Sequence, residues 1–298
     1  MNQIMECVPN FSEGRDQEKM EKILHVFRDR TGVRLLDCQN DEDHNRMVVT
    51  AVGEPESLGS VVTEAIGKAV ELIDMTKHHG QHPRMGAVDV VPFVPIRNTD
   101  MRGAVELSQQ VAKEAAEKYD LPVFLYEASA TVPERRNLAN IRKGQFEGMA
   151  EKLRDPAWKP DFGPARLHPT AGVTAIGARM PLVAFNVNLD TDRKDIADAI
   201  AKKVRHISGG LRYCRAVGID LKDRGMVQVS MNMTDYEKTA LYQVMELIRM
   251  EARRYGVSIA GSEIAGLTPM AALIDTAAYY LGLENFSLNQ VLETHLLE

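Results

Sequence analysis

Three of the chain's eight histidines fall at positions 78, 79 and 82. They lie in the run Lys77-His78-His79-Gly80-Gln81-His82-Pro83-Arg84-Met85-Gly86, a dense polar cluster. Imidazole titrates nearer neutrality than any other side chain, so this run offers a general acid or base for a proton transfer. Arg84, two residues after His82, adds a planar fork of donors suited to a carboxylate on a substrate. His78 and His82 also have the i, i+4 spacing of helical zinc ligands. Gly80 and Pro83 interrupt such a helix, however, and no cysteine or carboxylate stands close by as a third ligand. A solvated loop with incidental histidines is the plain alternative.

A second polar stretch is Asp37-Cys38-Gln39-Asn40-Asp41-Glu42-Asp43-His44-Asn45-Arg46. It lacks the turn glycine and the bidentate glutamate of a calcium loop. Asn40 to Asp43 read as the turn residues of a hairpin. Asp37 and Arg46 fall at the ends of predicted strands, where each can orient a histidine or bind substrate charge. The third stretch, Gly163-Pro164-Ala165-Arg166-Leu167-His168-Pro169-Thr170-Ala171-Gly172, is rich in residues that expose backbone groups. It suits hydrogen bonding to a flat heterocycle, although a mere linker would look the same. No phosphate loop, GxGxxG turn or nucleophile elbow accompanies these segments, and neither Cys7 nor Cys38 has a neighbouring histidine in sequence.

Periodicity supplies the elements that must position these groups. The first half reads as a strand over Gln3 to Pro9, a helix from Asp16 to Arg30, strands at Val33 to Leu36 and Met47 to Val52, a helix from Pro55 to Ile73, and a strand from Val88 to Ile96. The second half repeats the order. Strands are expected at Leu182 to Leu189, Cys214 to Ile219, Met226 to Met231 and Val257 to Ala260, and a helix over Lys194 to Val204. A capping box at Thr234-Asp235-Tyr236-Glu237 predicts a helix through Arg254, and Thr268-Pro269 predicts another through Tyr280. The expectation is an α+β fold, a sandwich of α/β type. It has two ferredoxin-like β-α-β-β-α-β lobes, residues 1–178 and 179–298, with a ligand cleft between them. Trp158 to Pro164, with its prolines and glycine, reads as the hinge.

Composition narrows the function. With 298 residues, 44% hydrophobic and 26% charged, the chain is ordinary globular material. Three scattered cysteines suit a reducing compartment. No basic, apolar leader opens the sequence and no window reaches a membrane span. The expectation is a cytoplasmic protein. A net charge of −6, from 36 basic and 42 acidic residues, argues against nucleic acid as partner. It leaves room for anionic small molecules in a locally basic cleft.

Several runs together identify a family resemblance. Glu6-Cys7-Val8-Pro9-Asn10-Phe11-Ser12-Glu13-Gly14, the block from His82 to Phe93, Asp161-Phe162-Gly163-Pro164, Ala184-Phe185-Asn186-Val187-Asn188-Leu189 and Gly261-Ser262-Glu263-Ile264-Ala265-Gly266-Leu267 resemble the formiminotransferase part of the formiminotransferase-cyclodeaminase family. The resemblance covers essentially the whole chain and suggests a stand-alone transferase without the cyclodeaminase part. It implies a homodimer and a small-molecule reaction. The formimino group would pass from N-formimino-L-glutamate to N5 of tetrahydrofolate, in histidine breakdown. Tetrahydrofolate would serve as co-substrate, with no metal. His82 matches the family's catalytic histidine, and Gly163 to Gly172 its folate-contacting segment, with Arg166, Leu167 and His168 departing from the animal pattern. Where some members carry an acid this chain has Gln39, which leaves Asp37 as the expected carboxylate partner of His82. Asp37, Arg46 and Arg84 complete the expected substrate-binding set. A formiminoglycine-dependent transferase, a non-catalytic folate-binding protein and a metal-dependent hydrolase are the alternatives.

Overall fold

A strand interrupted by proline starts the first unit, paired with neighbours on both sides. Val8-Pro9 separates β1 (Ile4–Cys7) from β2 (Asn10–Phe11), because proline has no N–H to give the ladder. Then follow α1 (Gln17–His25), β3 (Val33–Asp41), β4 (Arg46–Gly53), α2 (Pro55–Leu72), β5 (Val88–Arg97), α3 (Met101–Tyr119), β6 (Val123–Glu127), α4 (Leu138–Arg142), α5 (Gln145–Lys152) and β7 (Thr174–Ala178). The computed structural model describes residues 3–296. The chain divides into two compact units, one ending at Arg179 and the other starting at Met180.

The β-α-β-β-α-β order expected for the first half is present, but it is only part of the unit. The sheet has seven strands, not four, in the order β1-β4-β2-β5-β7-β6, with β3 on the far side of β4. β5, β7 and β6 run parallel to one another. The addition comes from α3 and the long excursion between β6 and β7, which the sequence reading left unassigned. Strands covered on both faces lose the alternation that marks a half-exposed strand. Val123 and Leu125 face one apolar cluster, with Val111, Ala115 and Ile176. Phe124 and Tyr126 face another, with Ile141, Met149 and Leu153.

Trp158 to Pro164 is not a hinge. Phe162 accepts from the Val123 N–H at 2.9 Å, which ties the segment to β6 inside the first unit. Asp161 accepts from the Leu125 N–H at 2.8 Å, and its carboxylate pairs with Arg135 at 2.7 Å, both side chains only 7% exposed. The proline and glycine shape a tight approach to the strand here, rather than a flexible join.

The second unit comprises β8 (Val183–Leu189), α6 (Lys194–Val204), β9 (Cys214–Leu221), β10 (Met226–Met233), α7 (Leu241–Arg254), β11 (Ile259–Ala265), α8 (Met270–Leu281) and α9 (Leu292–Leu296). Its four strands are ordered β11-β8-β10-β9 and each neighbouring pair is antiparallel. Alternation decides the faces. Val183, Phe185, Val187 and Leu189 pack with Ile196, Ile200, Val244 and Ile248 of the helices. The intervening Ala184, Asn186 and Asn188 face the other way. α7 begins at Leu241, not at the Thr234 capping box. The Gln243 side chain instead accepts from the Ala240 N–H at 3.0 Å, and Asp235 accepts from the Lys238 N–H in a preceding turn.

Removing one partner of a buried ion pair strands the other charge. Asp161→Ala should therefore lower the stability of the protein by about 3–5 kcal/mol, read as the midpoint of urea denaturation. A loss below about 1 kcal/mol, the level of an exposed pair, would show that this segment is not anchored.

Candidate active site

The histidine run leaves α2 and crosses back to β5 without helical structure, as Gly80 and Pro83 require. Backbone and side-chain bonds fix it to the tip of the β3–β4 hairpin. His78 Nε2 bonds to the Asn45 carbonyl at 2.9 Å, Asn45 Nδ2 donates to the His79 carbonyl at 3.1 Å, and the Gln81 N–H donates to the Asp43 carbonyl at 3.1 Å. From the N-terminal side, Ser12 Oγ donates to the Gly86 carbonyl at 2.7 Å and the Gly14 N–H to Asn45 Oδ1 at 2.9 Å. The run is thus an ordered loop, with Lys77, His79, Gln81 and Pro83 exposed at its surface.

Arg84 explains much of that order, and its observed role differs from the expected one. Nε donates to His78 Nδ1 at 3.2 Å. One terminal nitrogen donates to Gln145 Oε1 and Glu147 Oε2, the other to Glu147 Oε1 and the His78 carbonyl. Each of the five N–H groups of a guanidinium then has an acceptor, and none is left for a substrate carboxylate. Arg84 is a buried clamp between the loop and α5. The same contacts occupy both ring nitrogens of His78, so it cannot join His82 in a metal site.

His82 itself is surrounded by positive charge. Its imidazole lies edge-on to that of His44, ring centres 5.9 Å apart and planes at 88°. Burial, followed by the charges of Arg46, Arg142 and His44, lowers its pKa from the usual 6.5 to about 3. At neutral pH the ring is uncharged and can accept a proton. The sequence argument expected a pKa near 7; burial first, and then the guanidiniums, make the difference.

The expected carboxylate partner of this ring, Asp37, is engaged by other groups. That side chain accepts from the Cys38 N–H and from Gln39 Nε2, both at 2.9 Å, within its own strand. It lies inside β3, next to a register shift between Leu35 and Asp37, and not at a strand end. Asp41 takes the place instead: Oδ2 pairs with His44 Nδ1 at 2.7 Å, and His44 abuts His82. Burial pushes the Asp41 carboxyl upward, but hydrogen bonds from His44 outweigh it and hold it below the usual range.

Arg46 does line the site. Its guanidinium donates to Asn10 Oδ1. Burial, offset in part by Asp89 and reinforced by Arg142, brings its pKa down to about 10, still charged at pH 7. Its partner is a residue the sequence reading passed over. Arg142, at the end of α4, bonds Asp89 at 2.5 Å, while Asp89 also accepts from the Met85 N–H at 2.9 Å. Nε of Arg46 and Nε of Arg142 are both buried with no hydrogen-bond partner among the described residues. Buried donors of this kind are costly unless something accepts from them. A signal for the pair was present: a charged residue in the apolar run from Ala87 to Ile96 must find a countercharge. Nothing in Asn140-Ile141-Arg142-Lys143 identified which residue supplies it.

The segment from Gly163 to Gly172 meets the histidine loop at one end only. The Ala87 N–H donates to the Ala171 carbonyl at 2.8 Å and the Val173 N–H to the Met85 carbonyl at 3.0 Å. Gly172 has φ +74°, and a Cβ there would lie 2.3 Å from the Met85 carbonyl oxygen, so only glycine permits this approach. His168 Nδ1 accepts from the Ala171 N–H at 2.9 Å and closes the turn over Pro169 and Thr170. Leu167 packs beside Trp158 in the cluster around Phe124. At the other end, Arg166 pairs with Asp120, next to Ala165. Gly163 and Pro164 border a pocket of about 330 Å³ against the end of α3. Among the described residues, no group of three or more His, Cys, Asp or Glu side chains is placed to hold a metal, and no helix is long and apolar enough to cross a membrane.

Comparison with known proteins adds what geometry alone cannot. A family model for the formiminotransferase domain, N-terminal subdomain, matches residues 4–179, and one for the formiminotransferase domain matches residues 184–297. The chain is 55% identical over 298 residues to the glutamate formimidoyltransferase of Streptococcus pyogenes serotype M1, with 100% of both chains covered. It is 44% identical over 292 residues to the Thermoplasma acidophilum protein of the same name, covering 97% of this chain and 96% of that one. Against the formimidoyltransferase-cyclodeaminase of Mus musculus identity is 41%, over 94% of this chain and 53% of that protein. With family models matching both units and full-length relatives at this identity, the chain belongs to the formiminotransferase family.

Proposed function

We propose that the protein is a glutamate formimidoyltransferase. It moves the formimino group from N-formimino-L-glutamate to N5 of tetrahydrofolate and releases L-glutamate, a step of histidine degradation. The observation that carries this reading is the uncharged, half-buried imidazole of His82 set among the guanidiniums of Arg46 and Arg142. Three free cysteines fit a cytoplasmic setting, and the family resemblance brings a homodimer with it.

In the reaction a bond forms between N5 and the amidine carbon, and the bond from that carbon to the glutamate nitrogen breaks. The proton on N5 must leave, and the departing glutamate nitrogen must gain one. His82 performs both transfers. As a neutral ring it accepts the proton from N5, and as the resulting imidazolium it donates to the leaving nitrogen. A base with a pKa of about 3 would be too weak for this. Substrate binding corrects it: a glutamate carboxylate that accepts from the unpaired Nε donors of Arg46 and Arg142 offsets the charges that depress the ring. The imidazole is thereby made basic only when the donor is in place. His44, bonded to Asp41, supports the ring from one side. The Gly163 to Gly172 segment contributes backbone groups to the folate, Ala171 and Gly172 being the residues joined to the histidine loop.

His82→Ala should lower kcat by about 10²- to 10⁴-fold while folate binding persists; near-normal turnover at saturating folate would remove His82 from the mechanism. The ring's titration gives an independent check by NMR. In the free protein His82 stays neutral as pH falls through 6.5 and gains its proton only toward about 3. Saturating L-glutamate should move that midpoint upward, and an unmoved midpoint would refute carboxylate control of the base. Chelators should leave the rate unchanged, since proton transfer and an amine nucleophile suffice for amidine exchange; activity lost to a chelator and restored by zinc would contradict this.

A further inference from the structure

Arg142 works from a slender support. α4 has five residues, too few to stay helical on their own hydrogen bonds. Its last residue must nonetheless keep a guanidinium on Asp89, within electrostatic reach of His82. The start of the helix is capped in the ordinary way, Asn137 Oδ1 accepting from the Ala139 N–H at 3.1 Å. One face is anchored by Ile141, buried in the cluster with Phe124, Tyr126, Met149 and Leu153. The end of the helix is held differently, because the last carbonyls of a helix have no partner inside it.

Those carbonyls converge on one side chain, Lys152, the last residue of α5. Its Nζ donates to the carbonyls of Asn140 at 2.5 Å, Ile141 at 2.6 Å and Lys143 at 3.3 Å. An ammonium has three hydrogens, and all three are taken by the end of α4. The same nitrogen lies 3.9 Å from the centre of the ring of Trp158. That ring sits edge-on to Phe124, centres 6.2 Å apart and planes at 77°. A cation at a helix C-terminus meets the negative end of the helix dipole, and over an indole face it meets the negative side of the ring's quadrupole. Burial, followed by the charge of Lys143, lowers the Lys152 pKa to about 8, which leaves the ammonium as the main form at pH 7. Lysine heads ordinarily stay in water or find a carboxylate. Among the described residues no carboxylate pairs with this one, and its bonds go to the backbone around Arg142.

We propose that Lys152 is a positioning residue for the transfer: by tying down the end of α4 it holds the Arg142 guanidinium on Asp89, in the place from which it receives the donor's carboxylate. Without the ammonium the freed carbonyls turn toward water and the short helix frays from that end. A guanidinium bonds in fixed directions, so its usefulness depends on where its backbone stands. A misplacement of about 1 Å in a substrate-positioning group can cost about 10²-fold in rate. The part of this inference that concerns the carboxylate rests on the formiminotransferase reading, whereas the part that concerns His82 in the free protein does not.

The test uses the full chain and the variant Lys152→Met, which keeps the length of the stem and loses the ammonium. Two readouts go beyond stability. In the free protein the NMR titration midpoint of His82 should rise by about one unit, the low end of what withdrawing a neighbouring charge does. The KM for N-formimino-L-glutamate should rise by about 10-fold, the scale of one hydrogen bond to a charged group, with the KM for tetrahydrofolate unmoved. In an Arg142→Gln background the same replacement should change neither quantity further, because a residue that acts through Arg142 has nothing left to position. Lys152→Gln, which keeps two donors without the charge, carries the same measurements if the methionine variant does not fold. A variant that melts earlier but keeps the wild-type midpoint and donor KM would overturn the proposal and leave Lys152 a plain helix cap. Equal effects with and without Arg142 would overturn it as well. Wild-type protein that forms no product would refute the transferase reading, and the His82 midpoints would still decide whether Lys152 holds Arg142 in place.

Discussion

Two guanidiniums share a protein interior with one buried carboxylate. Asp89 pairs with Arg142, and Arg46 finds only an amide oxygen, that of Asn10. The remaining positive charge has nowhere inside the protein to be neutralised, and both Nε atoms lack an acceptor. That imbalance costs stability. It also adds to burial in keeping His82 uncharged, and it creates a preference for an anion. Loop order, hairpin position and the attachment of α4 all serve to keep these charges in place.

The surrounding scaffold divides the labour among arginines that look alike in sequence. Arg84, in the most conspicuous position, has its whole fork consumed by His78, Gln145 and Glu147. Arg135 does similar work for the segment around Asp161. Among the described residues Arg46, Arg135 and Arg142 each keep a buried Nε without an acceptor, and of these Arg46 and Arg142 are the two whose charge acts on His82. Arginine is suited to either task because its planar fork bonds in fixed directions and stays charged when buried.

Much of the fold was legible in the sequence. Lys194–Val204 coincides with the helix predicted there, and the strands of the second unit differ from their expected limits by a few residues. Period 2 and period 3.6 are unambiguous where one face is buried and the other wet. They fail where both faces are covered, which hid β6, β7 and the five-residue α4 that carries Arg142. They fail also at irregularities. Ending the predicted strand at Leu36 put Asp37 at a strand end, and reading 40–43 as turn chemistry missed that Asp41 ends the strand and pairs with His44. His82 and Arg46 were readable because residue type alone suggested their chemistry. Arg84's actual role was not, because it depends on residues about 60 positions away in the chain.

That separation has a consequence for how the molecule comes into being. The histidine loop is secured by Gln145 and Glu147 from one side and by Ala171 and Val173 from another. Those contacts close only after β5 has gained its parallel neighbour β7, a pairing of high contact order that forms slowly. A nascent chain that has emerged only as far as β6 already contains every histidine of the loop but none of its fastenings on this side. The reactive geometry is therefore a late product of synthesis, assembled when the last strand of the first unit arrives.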